Sequence, residues 1–345
     1  MAWHGPFRRP RAQRVALRAI GALPARLARA LGGPGRECEG ARLEPDLELL
    51  LRLLDRFGWP DFADLDPAAA RAEIEREAEI LEASWIFLPG PGRSRTVPMP
   101  GGEARLHEPA SGAPPGPLLV WFHGGGFVFG STAGHDDLCG YVASRAGVRV
   151  LAAPYRLAPE HRFPAAVDDA LAAYEWARSH AEELGADPER VGVGGDSAGG
   201  CLAAVVAREA RPRPRLQLLL YPITDLARES GSYETHAEAP MLTRRQMRWF
   251  RGHYLASEAD ARDPRASPLL ATDLAGLPPA LVVVAGFDPL RDEGLAYARA
   301  LRSAGSPATV AFHPGQLHAF AELAGASRSA RAALDEMCVW LAARA

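Results

Sequence analysis

Six apolar runs shape the second two-thirds of the chain: "PLLVWFHGGGF", "VRVLAAPYRL", "RVGVGG", "LQLLLYPITD", "ALVVVAGFDP" and "ATVAFHPG". They are continuous rather than alternating polar with apolar, so each reads as a strand covered on both faces. Helical text separates most of them, near His135 to Ala146, Ala165 to Glu183, from Ser197 and near Asp292 to Ser303, and a last helix ends at Trp340. Strands and helices in that order imply an α/β fold with a mostly parallel central sheet and helices on both faces. The order breaks once, between Ala227 and Asp263, where "MLTRRQMRWFRGHYL" reads as a helical excursion.

A chain of 345 residues that is 48% hydrophobic can bury one large core and a smaller appendage. The formal charge is −3 and there is no lysine, so arginine carries all the positive charge and no general field for nucleic acid exists. Cys38, Cys139, Cys201 and Cys338 are far apart with no CxxC pair, which points to free, mostly buried thiols and a reducing, cytoplasmic setting. The longest apolar run, Ala280 to Phe287, is well short of the roughly 20 residues that span a bilayer, so no integral membrane segment is expected. Oligomeric state is left open, a homodimer included.

The first stretch differs. Met1 to Arg36 holds arginines and no acids, and places Val15, Leu17, Ile20, Leu27 and Leu31 roughly on one helical side, interrupted by Pro24. It lacks the apolar centre of a secretory signal. Two readings stand: peripheral contact with a membrane, or a flap packed on the protein itself. Leu43 to Phe57 and Asp66 to Ala83 follow as helices, the second with Asp66 as N-cap and Pro67 in its first turn. From Ser84, glycine and proline corners suggest short antiparallel strands. The expected division is an N-terminal segment with cap helices (1–83), the first part of the core (84–226), a cap insertion (227–263) and the second part of the core (264–345).

In an open parallel sheet, ligands bind beyond the carboxyl ends of the strands. Ser197 lies at such an end, in "GDSAG" between a strand and a helix, where a reversal that tight needs small residues two before and two after the serine. A serine hydroxyl needs a base, and the base an orienting acid. Asp288 and His318 follow the next strands in the chain order Ser, Asp, His; taken singly, Asp288 reads equally as a helix cap and His318 as a loop histidine. The glycines of "HGGGF" let backbone N–H groups approach an oxyanion, so Gly125, Gly126 and Ala198 are the candidate donors.

The chain resembles the hormone-sensitive-lipase-like carboxylesterases in its HGGGF loop, GDSAGG, "YRLAPEHRFPAAVDD" (Tyr155 to Asp169), "DPLRDEG" and "GQLHAF", over roughly Arg105 to the C-terminus. The resemblance implies the α/β-hydrolase fold, with Ser197 as nucleophile, His318 as base, Asp288 as orienting acid, and Gly125, Gly126 and Ala198 as oxyanion donors. It also implies a helical cap built from the N-terminal region and the 227–263 excursion. The activity implied is hydrolysis of short- to medium-chain carboxylic esters through an acyl-enzyme, with a small-molecule ester as partner and no metal or organic cofactor.

Phe127, Met247, Trp249 and Phe250 are the expected substrate-pocket residues. Asp225 is a distant alternative acid, and His123 is expected to shape the oxyanion loop. Asp196 should point away from the chemistry, and Tyr155, Arg156, Glu160 and His161 should form a structural network. His135, Asp136 and Asp137 read as a helix start rather than metal ligands. Two rival functions share the fold: a catalytically silent small-molecule receptor, which would be expected to lose a triad member, and an acyltransferase.

Overall fold

Two separate apolar layers, one on each face of a single sheet, hold the molecule together. The structure is a computed structural model that describes residues 10–58, 60–82, 93–109 and 115–345. The sheet uses β3 (Ser94–Met99), β4 (Gly102–His107), β5 (Gly116–Phe122), β6 (Arg149–Ala152), β7 (Ala186–Asp196), β8 (Gln217–Leu220), β9 (Ala280–Phe287) and β10 (Ala308–Leu317). A minimal hairpin, β1 (Glu37–Cys38) and β2 (Ala41–Arg42), stands apart.

The strand order is β10-β9-β8-β7-β5-β6-β4-β3, parallel from β10 to β6 and antiparallel at β4 and β3. The expected antiparallel strands are thus β3 and β4; their approach through residues 83–92 lies outside the described residues. β9 is buried along all eight residues, as a continuous apolar run requires. β10 is the edge strand, and its first eight residues are half-buried or exposed.

Successive side chains of a strand still point to opposite faces. Leu118, Val120 and Phe122 of β5 enter one layer, with α6 (Ala165–Ser179), α7 (Ala198–Glu209) and α11 (Arg291–Ser303). Leu119 and Trp121 enter the other, with α1 (Pro10–Ala22), α3 (Pro45–Phe57), α5 (Asp136–Ala146) and α12 (Arg328–Ala342). Each fully buried Leu, Val or Phe contributes about 1.5–3 kcal/mol.

Pro24 splits the arginine-rich start into α1 and α2 (Ala25–Gly32), and the split re-aims the apolar side chains. Leu17 and Ile20 are buried, whereas Val15, Leu27 and Leu31 stay 65%, 46% and 61% exposed. α1 and α3 are tied to the start of α12: Arg328 Nη2 donates to Ala22 O at 2.8 Å, and Asp46 accepts from the hydroxyls of Ser327 and Ser329, both at 2.8 Å. α1 and α3 thus pack with α12 in the layer on the Leu119 and Trp121 face of the sheet.

The segment from Asp61 onward reaches the excursion. There α8 (Gly231–Thr235), α9 (Arg244–Tyr254) and α10 (Glu258–Ala261) follow β8, and α9 starts in a capping box between Thr243 and Gln246. Arg245 Nη1 and Gln246 Nε2 of α9 both donate to Asp61 at 2.9 Å. Beside them the Phe62 ring lies 5.1 Å from Phe250 and 5.5 Å from Trp249. α4 (Pro67–Glu82) follows, with Asp66 accepting from Ala68 N and Ala69 N at 3.0 Å as its cap. All four cysteines are free thiols, and only Cys38 is not fully buried.

Candidate active site

β7 ends at Asp196 and α7 begins at Ala198, so Ser197 alone makes the reversal, with φ 53° and ψ −113°. A non-glycine residue seldom adopts that conformation. A Cβ at Gly199 would run into the carbonyl of Phe122 on β5, and one at Gly195 into the carbonyl of Gly199, so both flanking positions require glycine. The turn is pinned to β8 by Ser197 N donating to Leu220 O at 2.9 Å and Ile223 N donating to Ser197 O at 3.1 Å.

His318, directly after β10, lies with Nε2 3.1 Å from Ser197 Oγ and Nδ1 2.8 Å from Asp288 Oδ2. Both side chains are buried, Asp288 completely. The second oxygen of Asp288 accepts from Leu290 N at 2.8 Å, so the carboxylate braces the start of α11 and faces the histidine at once. Tyr221 packs its ring 4.8 Å from that of His318. Asp225 is turned elsewhere, accepting from Ala227 N at 2.9 Å and Arg228 N at 3.2 Å in its own loop.

The "HGGGF" loop leaves β5 beside this group, with Gly125 at φ 106° and Gly126 at φ 60°. The loop closes through Val128 N and Phe129 N, both donating to Gly125 O at 3.0 Å. The N–H groups of Gly125 and Gly126 make no hydrogen bond among the described residues. Ala198, the first residue of α7, has no intrahelical acceptor for its own N–H. Three unsatisfied donors beside a serine are what a developing oxyanion needs.

The same residues place the chain among known proteins. The family described as alpha/beta hydrolase fold matches residues 119–322. The carboxylic ester hydrolase LipN of Mycobacterium tuberculosis is 45% identical over 298 residues, covering 83% of this chain and 78% of the relative. The ethyl acetate hydrolase of Pseudomonas putida is 43% identical, covering 63% of this chain and 70% of its own. Among solved structures, the hyperthermophilic esterase of the archaeon Pyrobaculum calidifontis superimposes with a TM-score of 0.80 at 37% identity, covering 87% of this chain and 98% of that one. The chain belongs to the hormone-sensitive-lipase-like carboxylesterases of the α/β-hydrolase fold. It is a carboxylic ester hydrolase.

In this esterase the residue before the serine has a defined place. Asp196 is buried under the glycine loop, accepting from Trp121 Nε1 at 3.2 Å and lying 3.2 Å from His135 Nε2. Burial alone would lower the His135 imidazolium, but the adjacent Asp196 carboxylate outweighs it and holds it up at about 9. Burial likewise works against ionising Asp196, and the imidazolium overrides it to keep the carboxyl below its usual range. His123 is the opposite case: burial, then repulsion from His135, lowers it to about 4, so it stays neutral and donates from Nδ1 to Gly124 O at 2.7 Å. Tyr155 stacks on it at 4.2 Å and donates to His123 O at 2.8 Å.

Asp136 turns away from His135 to Arg105, whose Nε donates to it at 3.0 Å. Among the described residues, the group spaced to hold a metal ion is His135, Asp196 and Glu322, a different set from the helix-start cluster. Within this group His135 and Asp196 form an ion pair 3.2 Å apart.

The serine opens into a cavity of about 150 Å³ walled by Phe62, Ile74, Phe129, Met241, Leu242 and Phe250. Of the four expected pocket residues, Phe250 is in this wall. Phe127, at φ 64°, turns back to stack on Tyr254 at 3.8 Å and is 1% exposed. Met247 faces a separate cavity with Arg248 and Arg251, and Trp249 packs against Phe62 and His253. Phe129 replaces Phe127 because the loop reverses at Gly125 and Gly126.

Arg71 of α4 was not singled out in the sequence. Its Nε donates to Val128 O at 2.7 Å and its Nη2 to Ala158 O at 2.6 Å, tying α4 to both the glycine loop and the "YRLAPEH" block. Its ion pair with Glu160 lowers that carboxyl to about 2. Arg156 pairs with Asp169, so this block is a structural network.

Proposed function

We propose that the chain hydrolyses short- to medium-chain carboxylic esters through an acyl-enzyme on Ser197. The observation that carries the reading is the unbroken line of hydrogen bonds from Ser197 Oγ to His318 Nε2 and from His318 Nδ1 to Asp288 Oδ2. His318 takes the hydroxyl proton as Ser197 attacks the ester carbonyl, and Asp288 holds the ring in the tautomer that leaves Nε2 free to accept. The oxyanion is held by the N–H groups of Gly125, Gly126 and Ala198. The alcohol leaves with the proton returned by His318; water, deprotonated by the same nitrogen, then releases the acid.

Residues 61–82 and 227–263 act together as a cap, and the Phe62–Phe250 contact makes its underside the wall of the substrate cavity. Each methylene buried there contributes about 0.8 kcal/mol, close to fourfold in kcat/KM, until the cavity is full. The test is hydrolysis of p-nitrophenyl esters from acetate to palmitate by wild type and Ser197→Ala. Turnover of the short esters, lost by about 10⁴-fold or more in the variant, supports the reading. Equal rates for the two proteins sink it.

No helix among the described residues is long and apolar enough to cross a membrane. Exposed Val15, Leu27 and Leu31, beside exposed Arg26 and Arg29, favour peripheral contact with an anionic lipid surface. Co-flotation with anionic vesicles, abolished by Leu27→Glu with Leu31→Glu, is the expected result; wild type left at the bottom of the gradient rules the contact out.

A further inference from the structure

Two carboxylates border the cavity without a part in the reaction described above: Asp196, expected to point away from it, is taken up by Trp121 and His135, and the other is Glu322. Glu322 sits in the 3-10 turn Phe320–Leu323, four residues after His318, where Ala319 at φ 58° turns the chain and accepts from Glu322 N at 3.1 Å. The turn brings the carboxylate into the cavity that holds Ser197, His318, Gly125 and Gly126. Its side chain keeps 39% of its surface accessible.

A carboxylate facing an apolar wall is costly unless it is paired. The cation nearest to Glu322 is His135, 3.9 Å away and beyond hydrogen-bond distance, with its Nε2 already 3.2 Å from Asp196. Burial pushes the Glu322 carboxyl up to about 7 against the pull of His135, helped by Asp196, which is both a like charge and a hydrogen-bond partner beside it. Above neutrality it is an acceptor with lone pairs to spare; the apolar walls Phe62, Ile74, Phe129, Met241, Leu242 and Phe250 offer no donor, and the Gly125 and Gly126 N–H groups and the Ser197 hydroxyl that share the cavity are taken up by the reaction itself.

We propose that Glu322 is a specificity-determining residue that selects esters bearing a free hydroxyl near the scissile bond, by accepting a hydrogen bond from that hydroxyl in the cavity it shares with Ser197. The inference rests on the serine-esterase reading above. It names a substrate class, hydroxy esters; a plain alkyl ester of the same length brings the carboxylate no donor. A hydrogen bond to a charged acceptor of this kind is worth at least about tenfold in kcat/KM.

The test uses two matched pairs at pH 8.5: ethyl butanoate against ethyl 3-hydroxybutanoate, and propyl butanoate against 3-hydroxypropyl butanoate. Rates come from a pH-stat, and each hydroxy-to-plain ratio is corrected by the same ratio in hydroxide hydrolysis. The expected result is a ratio of at least about ten in one pair for wild type, and that pair tells whether the hydroxyl belongs to the acyl or the alcohol side. The ratio falls to near one in Glu322→Leu and is partly restored in Glu322→Gln, whose amide oxygen still accepts. Because it is read within each protein, a general loss of rate does not imitate it. Wild-type ratios near one in both pairs overturn the proposal without any variant, as does a preference that survives Glu322→Leu. Failure to hydrolyse any of the four esters would instead strike at the esterase reading.

Discussion

Replacing Asp288 by asparagine separates its two jobs. The carboxylate accepts from Leu290 N through Oδ1 and faces His318 Nδ1 through Oδ2, both at 2.8 Å. An asparagine amide has one oxygen and one NH₂. Leu290 N–H is a fixed donor, so the amide oxygen must turn to it, which presents the NH₂ to His318. Nδ1 then has to accept, the ring proton moves to Nε2, and Nε2 points a donor at Ser197 Oγ where an acceptor is required. The opposite flip leaves two donors facing each other at Leu290, a buried conflict costing about 1–3 kcal/mol. The wrong tautomer lowers kcat by about 10⁴, or roughly 5 kcal/mol in the barrier, with the backbone left in place. Stopped-flow or steady-state hydrolysis of p-nitrophenyl butyrate measures it, with Asp225→Asn as the parallel variant, whose carboxylate serves only its own loop. Asp288→Asn within tenfold of wild type, or a larger loss in Asp225→Asn, would refute the assignment of the orienting acid.

Other consequences are equally direct. Phe250→Ala enlarges the cavity and should raise the kcat/KM ratio of hexanoate to acetate by about fourfold or more, one methylene's worth, whereas Met247→Ala, which faces the other cavity, leaves that ratio unchanged. Gly126→Ala puts a Cβ into the Phe250 ring at a left-handed position and should cost about 10²–10³ in kcat as the loop donors are displaced; adding Phe250→Ala should restore part of it. The raised folded-state value of His135 has a defined sign. Its stabilisation is complete below the unfolded value near 6.5 and lost as pH rises through about 9, on the order of 3 kcal/mol, so urea midpoints should fall over that window. In His135→Gln that component of the fall should be absent, with a lower midpoint throughout because Asp196 is left uncompensated; an unchanged slope contradicts the ion pair.

What the sequence reveals here follows from how local each signal is. Strands covered on both faces must be apolar throughout, so β5 to β9 and the residues ending them were legible, and with them the serine turn, the glycine loop and the order of Ser197, Asp288 and His318. The cavity wall was not. Phe62 and Ile74 come from one segment, Phe129 from the glycine loop, and Leu242 and Phe250 from the excursion, and no periodicity ties them together. The choice between Phe127 and Phe129 turns on a reversal at two positive-φ glycines, which a string of letters does not orient. The apolar stripe of the N-terminus was read as one face, but Pro24 divides it, burying Leu17 and Ile20 and exposing Leu27 and Leu31. Glu322 carried a signal that was passed over: an acid one helical turn beyond the candidate base.

The most direct test of covalent catalysis at Ser197 is intact-protein and peptide mass spectrometry after treatment with a p-nitrophenyl dialkyl phosphate, which leaves a dialkyl phosphoryl group on an activated serine as p-nitrophenolate departs. An acyl-enzyme mechanism predicts a single adduct, mapped to Ser197, formed in step with loss of esterase activity and absent from Ser197→Ala. An adduct elsewhere, or full inactivation without one on Ser197, would contradict it.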